Sequence, residues 1–135
     1  MNRKTIIPAA VAALGATAAL AAPPSQLTPV PFTSVKVTDA FWAPRIQRNL
    51  DVTLPANFRQ CEQTGRIRNF EKAAGTLQGE FEGLLFNDSD VYKVIEGAAY
   101  SLAHKRDPLV EAKCDEWIAK IAAAQQPDGY LYTYY

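Results

Sequence analysis

A chain of 135 residues with 14 basic and 14 acidic side chains carries no net charge that would draw it to nucleic acid or to an anionic membrane. Its two cysteines and single histidine are too few for a closed metal centre. The length allows one small domain.

Arg3 and Lys4 precede an Ala-rich apolar run from Ile6 to Leu20, and Ala19-Leu20-Ala21 fits a small-x-small cleavage site. The run is short for a membrane span. Residues 1–21 therefore read as a secretory signal peptide, and the mature chain as secreted or periplasmic, without membrane contact once the signal is removed. Removal leaves 12 basic against 14 acidic residues, a balance near −2. Residues 22–33, with four prolines between Ala22 and Pro31, read as a linker, and residues 34–135 as the folded part.

Ser34 to Thr38 alternates enough for a short edge strand. Asp39 is placed to cap the segment beginning at Phe41-Trp42, and a helical pattern runs from Pro44 to Gly65, kinked or broken at Pro55. Gly65 suits the residue just past a helix end. Arg66 to Glu80 reads as loop with one helical turn around Phe70–Ala74, and Leu84-Leu85-Phe86 as extended and buried.

From Asn87 onward the pattern strengthens. Asn87 and Asp88 are good N-cap residues. Val91, Val94, Ile95, Ala98, Ala99 and Leu102 then recur at three- and four-residue steps, with Lys93, Glu96, Tyr100 and His104 opposite. Lys105-Arg106-Asp107 connects to Pro108, a proline at the first position of a second helix. That helix sets Val110, Cys114, Trp117, Ile118, Ile121 and Ala124 on one face. Glu111, Asp115, Glu116 and Lys120 lie on the other, and Pro127-Asp128-Gly129 closes it as a turn. A single helical hairpin cannot bury both its own stripes. The final Tyr130-Leu131-Tyr132-Thr133-Tyr134-Tyr135 has no polar tail, which reads as a chain cut short.

No nucleophile–base pair, phosphate loop or metal motif emerges. Asp88-Ser89-Asp90 serves either as helix capping or as the rim of a sugar site. Gln125, on an apolar face, either braces the Asp128-Gly129 turn or touches ligand. The four C-terminal tyrosines pack or stack on sugar rings. Asn87-Asp88-Ser89 matches a glycosylation sequon, discounted because a buried cap would not be modified. Cys61 and Cys114 read as two buried thiols rather than a disulfide.

Five pieces occur in order: Val37-Thr38-Asp39-Ala40-Phe41-Trp42-Ala43-Pro44-Arg45; Thr64-Gly65-Arg66-Ile67; Phe70 with Ala73-Ala74-Gly75; Asn87-Asp88-Ser89-Asp90-Val91-Tyr92-Lys93; and Ala123-Ala124-Gln125-Gln126-Pro127-Asp128-Gly129-Tyr130-Leu131. Together they closely resemble the N-terminal part of glycoside hydrolase family 127, the β-L-arabinofuranosidases. The resemblance implies an all-α fold, the N-terminal portion of an (α/α)6 barrel, from a retaining, exo-acting enzyme on plant-derived carbohydrate. It also implies a zinc-bound cysteine nucleophile, with its zinc ligands and a glutamate acid, all in motifs absent from these 135 residues. No catalytic or metal role is therefore assigned here. Zinc is expected in the full-length enzyme only, and the chain as given is expected to be inactive. Asp88, Asp90, Gln125 and Asp128 are the candidate substrate contacts. Two rivals stand: another toroid carbohydrate enzyme such as a polysaccharide lyase, or a small non-catalytic carbohydrate-binding or interaction module. Apolar stripes left partly wet predict aggregation or molten behaviour in isolation.

Overall fold

A computed structural model describes residues 27–134; the expected signal peptide lies outside them. Among the described residues there are helices and turns but no strand. The strand expected over 34–38 does not form. A 3-10 turn at Phe32–Ser34 is followed by irregular chain, since alternation alone gives the segment no partner to pair with.

Helix α1 spans Trp42–Arg48 and α2 spans Leu54–Gln63, joined by a π turn at Asn49–Thr53. Asp39 Oδ1 accepts from the amides of Phe41 (2.8 Å) and Trp42 (2.6 Å), satisfying donors that an opening helix leaves free. The disturbance expected at Pro55 is real but sits one turn earlier. In a regular helix the Pro55 ring would crowd the carbonyl of Asp51, and the wide turn relieves this while leaving Pro55 in the first turn of α2.

Gly65, at φ 80°, turns the chain directly into α3, Arg66–Ala73. This corrects the loop expected over 66–80. The helix is short and largely charged, and only Ile67, Asn69 and Phe70 are buried, so its apolar period is hard to see. Leu84-Leu85-Phe86 is likewise neither extended nor buried. The three residues form an exposed turn leading into α4, Asp88–His104.

Asn87 does not cap α4 with its side chain. Its amide, oriented to satisfy both ends, accepts from Leu84 N (3.1 Å) and donates to Leu84 O (3.3 Å). The first α4 amides instead bond backwards in 3-10 fashion, Ser89 N to Phe86 O (3.2 Å) and Asp90 N to Asn87 O (3.1 Å). Asn87 is also 2% exposed, which closes the sequon to modification.

The α4–α5 hairpin forms where the periodicity places it. Helix α5 is Pro108–Ala124, capped by Asp107 Oδ1, which accepts from Leu109 N (3.0 Å) and Val110 N (3.2 Å). Its apolar face is covered by a second pair of helices. α3 packs along α5, α2 along α4, and the pairs close on each other. The core joins Leu50, Leu54, Phe58, Cys61, Ile67, Phe70, Val91, Ala98, Val110, Cys114, Trp117 and Ala124. Phe58 meets Trp117 edge-on, centroids 4.8 Å apart. Two stripe positions fall outside this core, because Ala99 and Ile118 are exposed. Both cysteines are free and buried.

An alternating chain of charges laces the pairs together across the surface. Lys113 bridges Glu62 (2.9 Å) and Glu116 (2.8 Å), and Lys120 bridges Glu116 (2.8 Å) and Glu71 (2.9 Å). Each exposed pair contributes only about 0–1 kcal/mol, so the ladder fixes alignment more than it stabilises.

Gly97 breaks the pattern in the middle of α4. A glycine in a helix interior costs about 0.5–1 kcal/mol relative to alanine. A Cβ at 97 would meet only Leu54 Cδ2 at 4.0 Å, so packing within the chain does not require the glycine. Gly97→Ala is expected to stabilise the chain by about 0.5–1 kcal/mol, read as a higher urea midpoint at unchanged slope.

Candidate functional site

The start of α4 meets the α2–α3 turn at an open cleft of about 380 Å³, lined by Asn57, Gln60, Cys61, Thr64, Arg66, Asp90, Lys93 and Val94. Gly65 turns the backbone so that Thr64 and Arg66 both reach this cleft. Arg66 Nε donates to Asp90 Oδ2 at 2.8 Å, and Arg66 Nη1 donates to Thr64 Oγ1 at 2.6 Å. Lys93 Nζ lies 3.8 Å from Asp90 Oδ1 and 3.4 Å from Ser89 Oγ. The half-buried guanidinium is thus held at two points, whereas the lysine is largely exposed. Lys93 faces Asp90, one turn back along α4. Such a cleft, with one oriented carboxylate, a guanidinium, a hydroxyl and two amides, can exchange hydrogen bonds with a polyol in both directions.

Cys61 forms part of the wall. Burial pushes its thiol above the ordinary value, against a partly compensating pull from Arg66. Burial does the same for Cys114. Both shifts disfavour the thiolate, the form that attacks or ligates metal.

The other three candidate residues lie elsewhere. Asp88 is buried and faces the segment after α5: Oδ2 accepts from Thr133 N (2.9 Å) and Oδ1 from Thr133 Oγ1 (2.5 Å). Tyr132 Oη donates to Leu85 O (2.8 Å), a second tie between the same two segments. Gln125 is exposed rather than buried, and its Nε2 donates to Gly129 O (3.0 Å), so it braces the turn. Asp128 Oδ1 accepts from Tyr130 N (2.9 Å) in that turn. Neither Gln125 nor Asp128 lines the Asp90 cleft. Arg66, Thr64, Asn57 and Gln60 were not among the expected contacts. Only Thr64-Gly65-Arg66, conspicuous as a motif, hinted at them.

Behind the cleft, Glu82 fastens the 76–87 loop to α3. Arg68 donates to both its oxygens (3.0 and 2.5 Å) and Lys72 to one (2.6 Å). The buried Asn69 side chain pairs with the Glu82 backbone in both directions at 2.9 Å. Arg68 first, then Lys72, hold the Glu82 carboxyl down from 4.5 to about 2. A depressed folded-state value means that this contribution is complete above about 4.5 and disappears as pH falls toward about 2. Urea midpoints measured down that range should therefore decline, and Glu82→Gln should flatten the decline.

Among the described residues no three His, Cys, Asp or Glu side chains converge as a metal would require. Without such a converging set, the described residues do not fit a zinc centre, and no step is derived through one.

Solved structures define the class to which this helical unit belongs, that of glycoside hydrolases. A GH127 β-arabinofuranosidase matches with a TM-score of 0.72 at 53% identity, over 78% of this chain and 17% of that one. A GH127 β-L-arabinofuranosidase from Geobacillus stearothermophilus T6 matches with a TM-score of 0.72 at 40% identity, over 74% of this chain and 17% of that one. The family model of the β-L-arabinofuranosidase GH127 catalytic domain matches residues 34–135, and the chain belongs to that family. A non-reducing end β-L-arabinofuranosidase from Bifidobacterium longum subsp. longum is 38% identical over 121 residues, covering 76% of this chain and 18% of that protein. The chain thus spans about a sixth of its relatives' length. Its all-helical fold is the portion of an (α/α)6 barrel that the resemblance implied.

Proposed function

We propose that this chain is the opening part of an exported, retaining, exo-acting β-L-arabinofuranosidase on plant-derived glycans, and that the 135 residues alone do not catalyse. The observation that carries this reading is the family match over residues 34–135. The Arg3–Ala21 pattern supports export. Retention needs two groups about 5–5.5 Å apart across the anomeric centre. The carboxylates at the α4 entrance are committed otherwise, Asp88 to Thr133 and Asp90 to Arg66. The catalytic pair and any zinc therefore belong to further sequence, while Asp90 and Arg66 serve as hydrogen-bonding wall for the sugar. The test is release from a chromogenic β-L-arabinofuranoside. A polypeptide extended to the relatives' length should release arabinose, with inverted product absent, and residues 22–135 should not. Turnover by the short chain, or none by the extended one, would overturn the reading.

A further inference from the structure

A second cleft of about 400 Å³ lies between α1 and α4, lined by Trp42, Arg45, Ile46, Asn49, Gly97, Tyr100, Ser101 and His104. Its walls are aromatic and open, Trp42 being 59% and Tyr100 54% exposed. Its polar groups are arranged rather than scattered. Asn49 Nδ2 donates to Ser101 Oγ (3.0 Å), which donates to Gly97 O (3.0 Å). Asn49 Oδ1 and the Tyr100 hydroxyl have no hydrogen-bond partner among the described residues, and Phe32 meets the Tyr100 ring edge-on, centroids 5.3 Å apart.

The α4 residues of both clefts share one helix face. Asp90, Lys93 and Val94 are followed by Gly97, Tyr100, Ser101 and His104 at three- and four-residue steps. From Asp90 to His104 that face runs about 20 Å at 1.5 Å per residue. Gly97 lines the second cleft on the side of the first; packing within the described residues does not require a glycine there, and it raises no side chain between the two clefts.

We propose that the two clefts are subsites of one groove along α4 that takes a neutral oligosaccharide. The Asp90–Arg66 cleft receives one unit, and the Trp42–Tyr100 cleft stacks the C–H face of a later unit on its rings. The free amide carbonyl and phenol bond that unit's hydroxyls. Gly97 is retained, despite its cost to the helix, because a ligand approaches the backbone there. A bulky apolar partner would leave the free carbonyl and phenol desolvated and unpaired, which disfavours a packed helix as occupant. The ligand class rests on the function proposed above; the position of the groove does not.

The two tryptophans supply the probe, since Trp42 is open and Trp117 is 0% exposed. Linear arabino-oligosaccharides should saturably protect the acrylamide-accessible fraction of emission, and arabinose alone should protect it less. By calorimetry, Trp42→Ala should weaken oligosaccharide binding about tenfold, while Trp42→Phe largely preserves it. Gly97→Ala should raise the thermal midpoint and yet weaken binding. Unsaturable protection, or affinity unchanged in both Trp42→Ala and Gly97→Ala, would overturn the groove. So would protection of Trp42 in the extended enzyme without sugar, which would identify another part of the protein as occupant. Hydrolysis by the extended enzyme without any Trp42 response sinks the groove alone. A Trp42 response without hydrolysis sinks the arabinofuranosidase reading alone.

Discussion

Replacing Asp88 with alanine is expected to destabilise the chain by about 2–4 kcal/mol and to strip residues 130–134 of hydrogen-exchange protection. The carboxylate is buried, with both oxygens used by Thr133. Hydrogen bonds to an ionised group contribute about 1.5–3 kcal/mol each, offset by the cost of taking the charge out of water. Removing the carboxylate also orphans a buried amide and hydroxyl. Asparagine keeps one acceptor for the Thr133 amide and makes the Thr133 hydroxyl accept where it had donated to a carboxylate, so it should cost less than alanine and more than nothing. A double-mutant cycle with Thr133→Val isolates the hydroxyl contact, and a coupling near zero would refute that contact. Urea unfolding gives the free energies, and exchange gives the location.

Gly65→Ala should cost a similar amount, about 2–4 kcal/mol, by a different route. At φ 80° an L-residue carries a penalty of about 1–2 kcal/mol. The added Cβ would also fall 2.8 Å from Glu82 Cδ and 2.9 Å from its Cβ. Glu82 cannot step aside without loosening Arg68, Lys72 and Asn69. Gly75 separates the two terms, because its φ is 72° and nothing lies within 4 Å of a Cβ built there. Gly75→Ala should therefore show the conformational penalty alone. If the two substitutions cost the same in urea unfolding, the Glu82 overlap is not real.

The α4–α5 hairpin was legible because several local signals agree there: an Asp-Pro entry, unbroken three- and four-residue spacing, and a Pro-Asp-Gly exit. α3 was not, because its burial rests on three residues in a charged octet, one of them an asparagine. Asn69 is buried there only because the Glu82 backbone, thirteen residues on, meets both ends of its amide. The candidate site divides the same way. Asp90 could be named from its place at a helix entrance, but its partner Arg66 lies 24 residues away, and only the fold brings them together. Asp88 looked equally suited to a rim. What removed it from solvent was Thr133, another pairing that local pattern does not encode. Gln125 was half legible: the turn it braces was foreseen, its exposure was not.

The π turn at Asn49–Thr53 has a consequence for any engineered or naturally shortened version of this chain. Each residue of a helix rotates the next by about 100°. The wide turn, however, uses about one residue more than an α-helix to cover the same rotation, because its hydrogen bond closes i→i+5 instead of i→i+4. Excising one residue after Leu50 would therefore let the tract close into a regular helix with α1 still in phase, and Trp42 and Ile46 would keep their place beside α4. The cost would fall on the start of α2, where the Pro55 ring would press on the carbonyl one turn back. A single-codon deletion there would thus leave the aromatic rim aligned and strain the helix behind it.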